Sequence, residues 1–146
     1  MNFLEEIAEL HQEEWGHLDR SITLERRINM LEKTANQRGI PSIYIALESD
    51  EFIGSAALVE QDMSTHHPEL SPWLAAVFVK SAWRRQGIAS RLVRFCEDKA
   101  IEEKVEKLYL FTELASRLYS TLGWQVLESC NFNGVRVHVM YKELAS

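Results

Sequence analysis

The segment from Trp73 to Arg94 has the residue types and spacing of an anion-binding turn. The apolar run from Trp73 to Val79 predicts a buried strand, and the pattern from Ser90 onward predicts a helix; between them stands the basic turn Arg84-Arg85-Gln86-Gly87-Ile88-Ala89. The first N–H groups of a helix have no intrahelical partner, and the helix dipole adds about half a positive charge there. This arrangement predicts a site for a phosphate-bearing cofactor.

The charge distribution supports a compact anionic ligand and argues against nucleic acid. The net charge is −6, which is unfavourable for a long phosphate backbone. Between residues 80 and 94, however, every charged residue is basic, and these are Lys80, Arg84, Arg85, Arg91 and Arg94. Such a local cationic patch on an acidic protein suits a small polyanion.

Length and composition predict one domain over residues 1–146 of an ordinary globular protein. Hydrophobic residues make up 46% of the chain and charged residues 26%. The longest apolar runs are too short for a bilayer span, and the first residues do not form a secretory signal, so no membrane partner is expected. The cysteines Cys96 and Cys130 are too few for a disulfide framework, and a cytoplasmic location is predicted.

The order of the predicted elements is helix, helix, hairpin, strand, helix, strand, helix, hairpin. Apolar residues at helical spacing predict a first helix around residues 3–15 and a second that begins after the N-cap Thr23 and continues to Ala35. Ser49-Asp50 joins the first hairpin's strands, residues 43–47 and 52–59, and a loop follows from Asp62 to Pro72. Together these indicate one central mixed sheet with helices on both faces.

The second half of the chain completes that sheet. Ile88, Leu92, Cys96 and Ala100 recur every four residues along one helix, and residues 108–111 predict a short buried strand. Leu114, Leu118 and Leu122 then mark a short helix that is capped by Thr112 and ended by Gly123. Residues 124–130 and 135–141 predict a closing hairpin, because Asn133-Gly134 is a strong turn signal. The strand–helix–strand unit from Trp73 to Phe111 is expected to be a parallel crossover.

Two motifs resemble those of the GNAT superfamily of N-acetyltransferases. The first is Arg84-x-x-Gly87-x-Ala89, which in that family grips the pyrophosphate of acetyl-CoA, and the second is Tyr119-x-x-x-Gly123-Trp124. The resemblance covers nearly the whole chain and implies the GNAT fold, a mixed α/β architecture whose single twisted sheet is mostly antiparallel. Two departures are evident. Thr112-Glu113-Leu114 stands where many members carry an asparagine, and Arg85 stands where a glycine is frequent.

The resemblance implies acetyl-CoA as the cosubstrate and assigns the residues that bind it. The pantetheine would pair with the backbone of Val77, Phe78 and Val79, where the central strand separates from its parallel neighbour. The pyrophosphate would lie on the turn and the first helical residues, namely Arg84, Arg85, Gln86, Gly87, Ile88, Ala89 and Ser90. No metal is expected, because no Cys, His and carboxylate cluster has ligand spacing.

The same resemblance implies direct transfer of the acetyl group to an amine. Tyr119 would protonate the departing thiolate, since a phenol can donate a proton as negative charge develops on sulfur. A base or water relay must deprotonate the amine, and Glu69 is the first candidate because it lies just before Pro72, where the chain enters the central strand. The other candidates are Glu60, Asp62, His66 and His67.

Alternatives from other functional classes stay open at this stage. The chain could be a catalytically silent acyl-CoA-binding sensor, although the presence of Tyr119 favours an enzyme. It could also be an interaction protein that uses an apolar face of its N-terminal helices, with Phe3 and Trp15. The sequence does not determine which small-molecule or protein amine is the acceptor. It also does not determine whether longer acyl groups are preferred or whether the chain forms a homodimer through its C-terminal strands.

Overall fold

The computed structural model describes residues 3–34, 39–63 and 66–144, and they follow the predicted order of elements. The first half contains α1 (Leu4–Trp15), α2 (Leu24–Thr34), β1 (Ser42–Glu48), β2 (Glu51–Val59) and β3 (Trp73–Val79). The second half contains α3 (Ile88–Glu102), β4 (Lys107–Thr112), α4 (Ser116–Thr121), β5 (Gln125–Phe132) and β6 (Val135–Glu143). A 3₁₀ turn, Ser81–Trp83, connects β3 to the glycine turn. Within the described ranges, no helix is long and apolar enough to cross a membrane.

The strands form one six-stranded sheet in the order β1-β2-β3-β4-β6-β5. The neighbours β3 and β4 are parallel and every other pair is antiparallel, so the predicted mixed, mostly antiparallel sheet is confirmed. The parallel pair follows from the long crossover through α3, whereas tight turns join the hairpin strands.

Helices cover both faces of the sheet, as predicted. On one face, α3 and α4 bury Leu92, Cys96 and Tyr119 against Ala56 and Leu58 of β2. On the other face, α1 and α2 bury Ile7, Ala8 and Leu31 against Phe52 and Phe78. Alternate side chains of β2 and β3 therefore enter different cores, which explains their nearly continuous apolar sequences.

Several predicted boundaries hold and others shift. Thr23 caps α2, since its Oγ1 accepts the N–H of Arg26 at 3.1 Å. Ala35, predicted on the same helix, lies outside the described residues. The closing hairpin turns on two residues, Asn133 and Gly134, which have φ of 52° and 86°, so its first strand runs on to Phe132. The two positive φ values match the Asn-Gly turn that the sequence predicted.

The central strand contains a bulge that opens the sheet. Ser55 pairs with Phe78 and Ala57 with Ala75, so one residue of β2 stands opposite Ala76 and Val77 of β3. Ala76 takes a left-handed conformation with φ of 54°. The parallel pairing of β3 with β4 is restricted to Trp73 and Tyr109, so the two strands separate beyond that point. The resemblance implied such a separation, and it leaves one edge of β3 accessible.

Candidate active site

The turn between β3 and α3 presents a row of free backbone donors. Gly87 is the N-cap of α3 with φ of 79°, a conformation that favours glycine, and a Cβ built there would meet no atom within 4 Å. Helical pairing starts with the N–H of Arg91, which donates to the Gly87 carbonyl at 3.1 Å. Within the described part of the chain, no group accepts a hydrogen bond from the N–H groups of residues 85–90. The turn is therefore an open cradle of donors at a helix N-terminus.

The two arginines of the turn have different orientations. Arg84 folds back onto the sheet, where its Nε donates to the Val79 carbonyl at 2.8 Å and its guanidinium lies 5.9 Å from the Phe78 ring centre. Its Nη2 also lies 3.5 Å from a carboxylate oxygen of Glu14. Arg85 is exposed and has φ of 65°, a left-handed conformation that favours glycine. Arg84 thus fixes the end of β3, while Arg85 keeps its charge at the surface.

A cavity of about 360 Å³ joins this turn to the open edge of β3. Of the residues predicted to bind the cofactor, all but Gln86 line it. Its wall consists of β3 residues Val77, Phe78 and Val79, turn residues Trp83, Arg84, Arg85 and Gly87, helix residues Ile88, Ala89 and Ser90, and Glu14, Ala115, Leu118 and Tyr119. The predicted cofactor residues therefore come together around one elongated space.

A second cavity of about 390 Å³ lies on the other side of the gap between β3 and β4. Residues of α1, α2, the bulge and the end of β4 line it, together with the loop carboxylate Asp62. Four residues, Glu14, Val77, Ala115 and Tyr119, line both cavities. The two spaces therefore meet beside the bulge and the Tyr119 side chain.

Tyr119 is held at this junction by the way α4 ends. The N–H of Trp124 donates to the Tyr119 carbonyl at 3.0 Å, and that of Gly123 donates to the Ser120 carbonyl at 3.1 Å. With Gly123 at φ of 95°, this is a Schellman ending, in which the residue after the glycine packs on the residue five positions earlier. The rings of Tyr119 and Trp124 indeed lie 6.2 Å apart in an edge-to-face arrangement.

The Tyr119 hydroxyl retains its proton and has no partner among the described residues. Its side chain is 6% exposed, and burial raises the pKa of the phenol well above its usual value. In the described ranges no hydrogen bond involves the Tyr119 hydroxyl, and no buried side-chain oxygen or nitrogen lacks a partner. The hydroxyl is therefore a neutral donor that faces the cavities.

A buried chain of hydrogen bonds supports the bulge from the side of α1. The Ser55 hydroxyl donates to the carbonyl of Ala76 at 2.7 Å, and His11 Nε2 lies 2.9 Å from the Ser55 oxygen. Because serine uses its proton toward Ala76, the imidazole must donate from Nε2. Burial lowers the pKa of His11 to about 3, with Arg27 adding to the effect, so the ring is neutral at physiological pH.

The candidate bases on the loop between β2 and β3 occupy different environments. Glu69 is exposed, lies 3.9 Å from His67 and lines neither cavity, and Glu60 is likewise exposed outside the cavity walls. His66 Nε2 lies 3.0 Å from the Asn131 carbonyl, and His67 pairs with Glu128, so both histidines attach the loop to β5. Asp62 is the one of the five that lines a cavity. The role of Glu69 as base stays a prediction.

Sequence reasoning did not foresee the groups that support the site from a distance. Glu97 is buried in α3, accepts from the Trp124 indole at 3.0 Å and pairs with Lys142 at 2.9 Å. The Lys142 ammonium also donates to the Leu122 carbonyl at 2.8 Å, which ties the end of α4 to α3 and β6. For His11 a signal existed, because it falls on the apolar face of the first helix; for Glu97 no local pattern indicated burial.

The short helix that contains Tyr119 begins later than predicted. Leu114 was expected on its apolar face, but α4 begins at Ser116 and Leu114 is 88% exposed. Thr112 still accepts the N–H of Ala115 at 3.0 Å, so it orders the segment that enters the helix. Within that segment, Glu113 is 2.9 Å from His17, and both line the second cavity.

Comparison with known proteins agrees with this geometry. The model of the acetyltransferase (GNAT) family matches residues 4–124, and the chain belongs to that family. It is therefore an acetyltransferase of the GNAT class. No curated protein sequence gives a significant match. No group of three or more His, Cys, Asp or Glu residues that could hold a metal occurs in the described ranges.

Solved structures share the fold at low sequence identity. An aminoglycoside 6'-N-acetyltransferase complexed with coenzyme A has a TM-score of 0.76 at 17% identity, over 98% of this chain and 91% of that chain. The aminoglycoside 6'-N-acetyltransferase from Enterococcus faecium gives 0.71 at 18%, with the same coverage. A GNAT family acetyltransferase from Elizabethkingia anophelis with acetyl-CoA bound gives 0.58 at 20%, over 80% and 81%.

Proposed function

We propose that the chain transfers the acetyl group of acetyl-CoA directly to a primary amine that enters from the second cavity. The observation that carries this proposal is the meeting of the two cavities at Val77 and Tyr119. One cavity ends on the donor-rich turn and suits a long anionic cosubstrate, and the other is lined by several carboxylates and suits an amine. Solved proteins of the same fold hold coenzyme A or acetyl-CoA, which supports the choice of cosubstrate.

The turn would bind the diphosphate and the open edge of β3 would bind the pantetheine. Backbone N–H groups of residues 85–90 have no other acceptor in the described part of the chain, so they can hydrogen-bond to phosphate oxygens. Beyond Trp73, β3 has no pairing with β4, so backbone groups of Val77 to Val79 on that edge can pair with amides as a neighbouring strand would. The Val79 carbonyl, which already accepts from Arg84, would use its second lone pair. Acetyl-CoA supplies an activated thioester to the junction.

At the junction, the backbone would polarise the thioester and Tyr119 would release the thiol. An N–H beside the bulge that donates to the carbonyl oxygen stabilises the developing oxyanion, an effect of about 3 kcal/mol in other enzymes. The amine nitrogen forms a bond to the carbonyl carbon, the carbon–sulfur bond breaks, and Tyr119 donates its proton to sulfur. The proton that the nitrogen loses on forming the amide passes back to the Tyr119 oxygen, which restores the phenol, and no covalent enzyme intermediate is needed.

The burial of the Cys96 thiol agrees with direct transfer of the acetyl group to the amine. Burial raises the pKa of Cys96 to about 12, since it lies at 0% exposure in the core with Glu97 beside it, so it is not a thiolate nucleophile. Cys130 lines neither cavity. The cytoplasm is the compartment that we propose, in keeping with two unpaired cysteines.

Substitution of Tyr119 by phenylalanine tests the proposed chemistry. With an accepted amine, we expect Tyr119→Phe to lower kcat at least tenfold in an assay of CoA thiol release, with the Kd for acetyl-CoA changed less than twofold. Tyr141→Phe is the matched control, because its hydroxyl bonds to Gln125 outside both cavities. Unchanged turnover in Tyr119→Phe would remove the tyrosine from its role as acid. Acetyl-CoA binding without turnover of any amine would favour the acyl-CoA sensor.

A further inference from the structure

The second cavity contains one carboxylate whose environment differs from that of the others. Four acidic residues line it, namely Glu14, Asp19, Asp62 and Glu113. Three of these have partners on the protein: Glu14 faces Arg84 at 3.5 Å, Asp19 accepts from Ser21 at 2.6 Å, and Glu113 faces His17 at 2.9 Å. Across the described ranges, Asp62 takes part in no hydrogen bond or ion pair.

Asp62 is half-buried, and it lines the cavity. It follows the end of β2 and is flanked by the fully buried Met63, which packs with Leu18, Trp73 and Phe132. Since every fully buried polar side-chain atom in the described part of the chain has a partner, the unpaired carboxylate must keep some contact with the cavity space. Burial raises the pKa of Asp62 to about 7, which reflects the missing counter-charge.

The end of β2 that leads into Asp62 lies away from the bulge. Val59, three residues before Asp62, pairs with Trp73, and Val77 lies four residues further along β3. At about 3.3 Å for each strand residue, the Val59 end of the sheet lies roughly 13 Å from the bulge. Because the chain leaves the sheet at this end and Asp62 lines the same cavity as the bulge, we assign Asp62 to a second group of the acceptor rather than to the amine that reacts.

The remaining charges favour a cation at that place. Arg27 is the arginine of the cavity wall, and its Nε already donates to Gln12 at 2.9 Å. His11 is neutral, and the three other carboxylates leave the space negative. An unpaired anion in a poorly hydrated position is stabilised most by an ammonium group that brings both charge and hydrogen-bond donors.

We propose that Asp62 is a specificity residue that binds a second amino group of the acceptor, so that the substrate is a di- or polyamino compound rather than a monoamine. This inference rests on the proposed function, because it takes the second cavity as the acceptor site. The reacting amine lies beside Tyr119, and the other ammonium pairs with the Asp62 carboxylate.

Equilibrium binding tests this assignment without requiring turnover. Linear α,ω-diamines of four to ten carbons and the matching monoalkylamines are titrated calorimetrically into the CoA-saturated protein. For wild type, we expect at least one diamine to bind tenfold or more tightly than its monoamine. In Asp62→Asn, which keeps the shape and removes the charge, that preference falls below twofold. Asp50→Asn is the control, because Asp50 lies exposed in the turn between β1 and β2 and should keep the full preference.

The outcomes separate this inference from the proposed function. If diamines bind wild type no better than monoamines, or if Asp62→Asn retains the preference, the assignment of Asp62 is wrong even when acetyl-CoA binds normally. If acetyl-CoA itself does not bind, the proposed function is wrong. Should Asp62→Asn not fold, Asp62→Ser replaces it, and the wild-type comparison alone can overturn the proposal.

Discussion

At the scale of single residues, the most informative group is a neutral histidine that supports the backbone. His11 donates to Ser55, and Ser55 donates to the carbonyl of Ala76 at the bulge. Ala76 is held at φ of 54°, which costs an L-residue about 1 kcal/mol or more, so the surrounding bonds must stabilise that conformation. The histidine therefore supports the conformation of β3 at the bulge through Ser55.

The lowered pKa of His11 predicts a pH-dependent loss of stability. In the folded protein the ring stays neutral down to about pH 3, whereas in the unfolded chain it gains a proton below about 6.5. The unfolded state binds more protons in that window, so stability falls as the pH falls. Relative to His11→Gln, we expect wild type to lose roughly 1–3 kcal/mol of unfolding free energy between pH 7 and pH 4.5.

Urea denaturation at both pH values measures this difference. His138→Gln serves as the control, because His138 pairs with Ser129 at the surface of the closing hairpin. That variant should follow the wild-type pH dependence. Parallel stability curves for wild type and His11→Gln would contradict the buried neutral histidine.

At the scale of elements, the position of α4 determines where Tyr119 lies. The helix has only six residues, Ser116–Thr121, so it depends on contacts at its end. Those contacts are the Schellman ending at Gly123, the ring of Trp124 and the link from Glu97 through Lys142 to the Leu122 carbonyl. The glycine and tryptophan of the Tyr-x-x-x-Gly-Trp pattern therefore hold the end of α4 in place, and the tyrosine supplies the hydroxyl.

Removal of the buried Glu97 charge should destabilise the packing at the end of α4. Glu97→Gln keeps the shape but leaves Lys142 without its carboxylate, and we expect a loss of about 1–3 kcal/mol in unfolding free energy. The neighbouring Asp98→Asn is the matched control, since Asp98 is exposed, and it should change stability by less than about 0.5 kcal/mol. Equal effects of the two substitutions in urea unfolding would contradict a structural role for Glu97.

Local sequence patterns predicted the helices and strands well, because capping and turn residues mark where each of them begins or ends. The N-cap Thr23, the Asn133-Gly134 turn and the glycines at the ends of α3 and α4 act within a few residues, so the sequence reveals them directly. The same holds for the donor-rich turn, where Gly87 and the following helix suffice. By contrast, the bulge at Ala76 has no glycine to indicate it, and its support comes from Ser55 and His11 on other elements.

The parts of the site that sequence reasoning missed depend on distant contacts. Glu69 and Asp62 are both loop carboxylates, and nothing in their local sequence shows that Asp62 lines the cavity while Glu69 is exposed. Glu97 is buried because Trp124 and Lys142 approach it from later parts of the chain. Leu114 lies on a segment that precedes α4, so its apolar spacing with Leu118 did not reflect a shared helix.

At the scale of the whole molecule, the proposed function assigns one cavity to each of the two ligands. Its bulge and the separation of β3 from β4 create a gap, and each side of the gap continues into one cavity. Basic residues and free N–H groups surround the end of one cavity, and carboxylates line the other. An acidic protein can therefore bind a polyanion at one end of its site and an amine at the other.

Calorimetric titration of acetyl-CoA into wild type, Gly87→Glu and Gly134→Glu tests the central claim most directly. Both glycines have positive φ and open space at the Cβ position, so the two variants introduce the same charge and the same backbone strain, but only Gly87 lies in the donor cradle. We predict saturable binding at one site for wild type and Gly134→Glu, and binding at least tenfold weaker for Gly87→Glu. No saturable binding by wild type, or normal affinity in Gly87→Glu, would contradict the account.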